Sequence, residues 1–150
     1  MTTLFLDFKA EQDARNTIEL NVTKWCYMLT DALRQNFIDY SIDSHQKTVS
    51  KLDDFSMEWN YQLKKIAELK NGECNLDFSI ESGRKYHKIV MNDNGNHYVH
   101  AFVDRRTGEV YKPAGCKSPA KGVRFDLRII EQREWLLKNA DWAGGYLYIR

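Results

Sequence analysis

From about residue 10 to residue 71, apolar side chains recur every three or four positions. Ile18, Val22, Trp25, Leu29, Leu33 and Phe37 form one stripe, the signature of a helix with one buried face. Glu19, Lys24, Asp31 and Arg34 lie mostly away from it. Val49, Leu52, Phe55, Trp59, Leu63 and Ile66 continue as a second stripe that stops at Asn71-Gly72, a pair suited to a helix C-cap. Between the two, Asp39-Tyr40-Ser41-Ile42-Asp43-Ser44 is rich in turn and N-cap residues. The pattern therefore predicts two amphipathic helices with their turn at residues 39–44. No proline precedes Pro113, so nothing forbids long helices here.

After Gly72 the period changes to alternation. Leu76, Phe78 and Ile80 alternate with polar neighbours up to Ser82-Gly83. Lys85 to Met91 and His97 to Val103 flank Asn92-Asp93-Asn94-Gly95, a hairpin signal because Asn-Gly tolerates positive φ. Asp104-Arg105-Arg106-Thr107-Gly108 reads as a second tight turn, after which Glu109-Val110-Tyr111-Lys112 pairs back. An antiparallel meander is the expected outcome.

Both prolines fall between Lys112 and Gly122, a stretch that suits neither a central strand nor a helix. Leu127, Ile130, Trp135 and Leu137 then predict a helix of about three turns. Ala143-Gly144-Gly145-Tyr146-Leu147-Tyr148-Ile149 reads as a closing strand that rejoins the sheet. The expected fold class is α+β: an N-terminal helical hairpin packed with an antiparallel β-meander, plus a C-terminal helix and strand. One domain spans residues 1–150, mostly helical over 1–72 and β-rich over 73–150.

Composition adds limits. At 150 residues the chain can bury a core without disulfides or metal. Cys26, Cys74 and Cys116 are odd in number and form no CxxC or Cys/His cluster, so free thiols are expected, with no metal and no cofactor. No basic leader with an apolar run opens the chain and no apolar run approaches a membrane span. A cytoplasmic protein without membrane contact is the expectation.

Net charge is only +1, but it is unevenly distributed. Between Arg105 and Arg128 stand seven basic residues (Arg105, Arg106, Lys112, Lys117, Lys121, Arg124, Arg128) against Glu109 and Asp126. Arg84, Lys85 and Lys88 add cations on the same expected sheet. An anionic partner follows from this excess. Lysine and arginine give phosphate strong charge-assisted hydrogen bonds, and glycines in the loop let backbone approach a ligand. The candidate anion contacts are Arg105, Arg106, Lys112, Lys117, Lys121 and Arg124, with Ser118 as a further donor. Tyr86 or Tyr111 would stack on a base; Tyr98, Phe102 and Trp142 are other rings of this half. A nucleotide suits the near-neutral chain better than a long duplex.

Catalytic signatures are sparse. Lys117-Ser118-Pro119-Ala120-Lys121-Gly122 lacks the spacing of a phosphate-binding GxxxxGK[ST] loop. His97 and His100 are three apart on a strand and face opposite sides. His87 and His100 are candidate cross-strand neighbours, the geometry an acid–base pair needs. Cys116, between Lys112 and Lys117, is a candidate activated thiol without a histidine or acid close in sequence.

The stretches Tyr86-His87-Lys88-Ile89-Val90, His100-Ala101-Phe102-Val103-Asp104, Thr107 to Ala114, Lys117 to Gly122 and Asp141 to Leu147 resemble a group of small proteins of tailed bacteriophages and prophages. The resemblance covers under half of the chain and implies a phage origin, action in the bacterial cytoplasm, and no particular activity. An aromatic residue is usual in that group where this chain has Cys116.

Three functions are then in view. The first is a non-enzymatic binding protein for a nucleotide, including a defence signalling nucleotide, or for nucleic acid. The second is an inhibitor that captures a host or defence protein through the helical hairpin, whose Trp25 and Trp59 stripes could also support a homo-oligomer. The third is a small metal-independent phosphodiesterase or nuclease using His87 and His100.

Overall fold

The computed structural model describes residues 2–148. It begins with one uninterrupted helix, α1 (Thr2–Val49), of 48 residues. At 1.5 Å per residue that is about 72 Å. The turn expected at 39–44 does not form: α1 runs straight through it. The reason lies in what those residues touch. Ile38 is buried and Ile42 and His45 are half-buried, with His45 hydrogen-bonded to Gln62 on the next helix. The polar residues keep helical company, Gln35 donating to Asp39 at 2.9 Å and Lys47 pairing with Asp43 at 2.9 Å. Burial on one face and i,i+4 contacts on the other outweigh turn propensity.

The chain reverses instead at residues 50–56, where Phe55 takes φ 66°. Ser56 caps α2 (Met57–Lys70) by accepting from the Trp59 N–H at 3.1 Å. The helix ends at Asn71, followed by Gly72 at φ 83°. Its buried face is Gln62, Ile66 and Leu69. The second stripe is therefore split, with Phe55 and Leu63 exposed. Arg34 donates to the Gly72 carbonyl at 2.6 Å, so α2 lies antiparallel along the C-terminal half of α1.

The sheet is a meander, β1 (Leu76–Ser82), β2 (Tyr86–Asp93), β3 (Asn96–Asp104), β4 (Glu109–Tyr111) and β5 (Phe125–Asp126), each strand antiparallel to the next. The Asn94-Gly95 turn forms as expected, with φ 49° and 90°. Ile89 pairs with Ala101 but Val90 pairs with Val99, which leaves His100 as the extra residue of a β-bulge. Helix α3 (Ile130–Asn139) follows β5.

The closing strand expected over 143–149 does not form: Gly145–Tyr148 is a 3-10 turn. Asp141 accepts from the Gly145 and Tyr146 N–H groups at 3.1 Å each, and Gly144 at φ 85° swings the chain inward. Tyr146 and Leu147 are thereby buried in the core. Ile149 lies outside the described residues.

One face of the sheet, including Phe78, Ile89, Ala101, Val103 and Val110, packs on Val22, Cys26, Leu29 and Leu33 of α1, with Leu136 of α3 and Leu147 closing the core. Each large aliphatic or aromatic side chain contributes about 1.5–3 kcal/mol on full burial. Among the described residues, no helix is long and apolar enough to cross a membrane.

Candidate functional site

The segment after β4 is a folded tongue. Pro113 and Pro119 form an isolated antiparallel bridge, the Ala120 N–H donates to the Lys112 carbonyl at 2.8 Å, and the Ala114 N–H to the Ser118 carbonyl at 3.0 Å. Two prolines fix φ along it. Lys88 of β2 donates to the Cys116 carbonyl at 2.8 Å, which ties the tip over the outer face of the sheet.

Beside the base of the tongue is a cleft of about 340 Å³. Lys112 and Pro113 form one side, Tyr98 and His100 of β3 another, and Trp142, Gly144 and Tyr148 the third. The Lys112 ammonium stands 4.3 Å from the centroid of the Tyr148 ring. Trp142 is held by ring contacts to Phe37 and Tyr40, centroids 5.3 and 5.4 Å away, and its backbone N–H donates to the Asn36 side chain at 3.0 Å. α1 therefore positions an aromatic wall contributed by the end of the chain. A shallower hollow shares Tyr98, Val99 and Pro113 with the cleft and extends along Ala114, Gly115 and Cys116, so the two adjoin.

The sequence-predicted contacts are not gathered on one rim. Lys112 lines the cleft. Lys117 and Ser118 are exposed at the tongue tip, and Lys121 is exposed near its base. Arg105 and Arg106 sit on the β3–β4 turn, at the opposite end of β4. Arg105 donates to the Gly83 carbonyl at 2.6 Å, and Arg106 lies 3.9 Å from Glu19 in a groove against α1. Arg124 is half-buried beside Phe125, Asp126 and Gln132, and its Nε is buried without a hydrogen-bond partner among the described residues. Arg128 is tied to Asp126 at 3.2 Å.

Tyr86 and Tyr111 are half-buried on the outer face of the sheet, edge-on to each other at 6.1 Å and, for Tyr86, to Phe102 at 5.7 Å. The Tyr111 hydroxyl donates to Glu109 at 3.4 Å; burial and that carboxylate raise its pKa. These rings pack on one another and are not in the cleft. Tyr98 and Trp142 are there, joined by Tyr148 and His100. The alternation of β3 carried a signal for Tyr98. Nothing local marked Tyr148, because the 3-10 turn that places it has the sequence pattern of a strand.

The expected pairing of His87 with His100 is also corrected. His87 lies opposite Val103, and His100 occupies the bulge. His87 is enclosed by Ser82 Oγ, 2.7 Å from Nδ1, and Thr23 Oγ1, 3.3 Å from Nε2. Burial and the neighbouring Arg105 hold its pKa down. His100 is buried with Nε2 2.7 Å from the Tyr146 hydroxyl, and burial pushes its pKa down to about 4. Each imidazole has its own partners, so no acid–base pair forms between them.

Cys116 is exposed at the tongue tip, whereas Cys26 is buried in the core with its thiol pushed up to about 12 by burial.

A helical hairpin backing an antiparallel meander, with a cleft of small-ligand size at the sheet's edge, defines an α+β protein whose candidate site is built from a tongue and the end of the chain. The chain belongs to the family of unknown function DUF7717, whose model matches residues 5–149. No curated protein and no solved structure matches it.

Proposed function

We propose that the protein is a non-enzymatic binding protein for a small phosphate-bearing ligand, a nucleotide in particular, seated in the cleft at the base of the tongue. The observation that carries this reading is the position of Lys112, 4.3 Å from the Tyr148 ring in a cleft that also presents Tyr98 and Trp142. A base stacked on such rings gains about 1–3 kcal/mol, and a phosphate gains charge-assisted hydrogen bonds from the ammonium. The adjoining hollow leads to the tongue tip, where Lys117 and Ser118 supply further donors. A long duplex is disfavoured because Arg105 and Arg106 lie at the other end of β4 from the tongue lysines. With the likeness to phage proteins, the reading extends to a bacterial cytoplasm and to capture of a defence signalling nucleotide.

Thermal-shift and calorimetric titration of the full chain against nucleoside mono- and diphosphates, at low and high salt, tests it. Saturating ligand at a hundredfold excess over Kd raises stability by about 2.7 kcal/mol. Lys112→Ala removes most of that gain. If no nucleotide stabilises the protein at either salt concentration, the reading fails.

One observation favours capture of another protein as a second reading. At the hairpin turn Phe55 is 80% and Met57 91% exposed, with Trp59 against the Phe55 ring at 5.0 Å. A bulky residue held exposed at positive φ is strained, and burial in a partner's pocket would offset that strain. Loss of partner capture in Phe55→Ala with Lys112→Ala silent would favour it.

A further inference from the structure

The imidazole of His100 is buried, yet one edge of it lines the cleft. Its orientation is locked from several sides. Nε2 is 2.7 Å from the Tyr146 hydroxyl, the Phe78 ring meets it edge-on at 5.4 Å, and the Tyr146 ring lies 5.6 Å away at 30°. Nδ1 makes no hydrogen bond among the described residues. Gly144 keeps that side open, since a Cβ there would stand 3.6 Å from the ring's Cε1 and 3.9 Å from Nδ1.

The tautomer follows from the partner. Tyr146 is buried, and His100 is the hydrogen-bond partner of its hydroxyl. Were Nε2 to carry the proton and donate, the phenol O–H would be left buried with no acceptor among the described residues, a loss that outweighs the bond gained. With the phenol donating to Nε2, the buried hydroxyl is satisfied and the proton sits on Nδ1. A fixed N–H donor then lies beside Gly144, in the lining of a cleft walled by Tyr98, Trp142 and Tyr148.

We propose that His100 Nδ1–H is the group that reads the ligand's ring: the cleft takes a planar heterocycle with a hydrogen-bond acceptor on its edge, a carbonyl oxygen or a pyridine-type nitrogen, as nucleobases have. This rests on the phosphate-ligand reading of the same cleft and adds to it the chemistry of the non-phosphate part. Lys112 holds the charged end and His100 selects the ring. His100 acts here by direct contact with the ligand, and Tyr146 acts through it as a positioning residue.

Two measurements on the full chain test the inference. Nitrogen-15 NMR of the ligand-free protein reports the tautomer directly: Nδ1 is expected to be pyrrole-type and Nε2 pyridine-type. The reverse assignment overturns the proposal. Calorimetry then compares uridine 5′-monophosphate with phenyl phosphate, which has a ring but no edge acceptor, and with ribose 5-phosphate, which has no aromatic ring. The nucleotide is expected to bind about tenfold more tightly than phenyl phosphate, the worth of one hydrogen bond. Equal affinities sink the role of His100 and leave the phosphate reading standing; absence of binding by all three sinks both. His100→Met, whose thioether is a weak acceptor for the Tyr146 hydroxyl and carries no donor, is expected to abolish the preference, read as the ratio of the nucleotide and phenyl phosphate affinities. Tyr146→Phe, which leaves the imidazole in place but frees its tautomer, is expected to reduce it. A preference that survives His100→Met overturns the assignment.

Discussion

A single imidazole links the stability of this protein to its candidate site. His100 is buried and its pKa is pushed down to about 4. The unfolded chain takes up the proton at the ordinary value near 6.5, so it binds more protons than the folded chain in the interval between the two. This contribution to stability is complete above pH 6.5 and is lost as pH falls toward 4, by up to about 3 kcal/mol. His87 shifts in the same direction through burial and the nearby Arg105. Urea midpoints measured across that range are expected to fall, and His100→Gln to flatten the slope. An equal slope in the variant would assign the effect to other groups. The thiols differ by the same reasoning. Cys116 is exposed, Cys74 donates to the Leu76 carbonyl at 3.1 Å, and Cys26 is buried and held in its neutral form. A thiol reagent is expected to label Cys116 quickly and Cys26 only on unfolding, which peptide mass spectrometry would reveal.

Among the helices and strands, the period of the apolar positions guided α1 and the sheet but misled over 143–149, and the turn residues were a guide at Asn71-Gly72 and Asn94-Gly95 but not at 39–44. Of the first stripe, Val22, Leu29 and Leu33 are fully buried along α1 and Ile18, Trp25 and Phe37 half-buried, while Cys26, outside the stripe, is fully buried as well. The turn residues of 39–44 did not break the helix, because Ile38 and His45 have contacts with the rest of the fold that local propensity does not register. The real turn depends on Ser56, whose side chain accepts from the Trp59 N–H. Ser56→Ala is expected to cost about 1 kcal/mol, seen as a lower urea midpoint without a change in slope. Gly144 is the equivalent pivot at the other end. Its φ of 85° and its proximity to His100 mean that Gly144→Ala strains the backbone by about 1–2 kcal/mol and narrows the cleft. Chemical denaturation gives the first effect, and weaker nucleotide binding the second.

At the scale of the whole molecule, the packed body begins well inside α1. Leu4, Phe5, Leu6 and Phe8 are exposed, and Val22 is the first fully buried residue of the helix among those described. Removing residues 1–13 is therefore expected to leave the urea midpoint of the body unchanged. A fall would show that the start of α1 supports the core. Helical and extended periods, the Asn94-Gly95 hairpin and the excess of cations from Arg105 to Arg128 could all be read along the chain, because each depends on neighbours a few residues away. The company those cations keep could not. Packing placed Arg105 and Arg106 at one end of β4 and the tongue lysines at the other, drove Tyr146 into the core, and left His100 on a bulge at the edge of a cleft. Segment periodicity follows from short-range geometry. A site made of β3, the tongue and the end of the chain depends on contacts between residues far apart in sequence, and only the folded core brings those together.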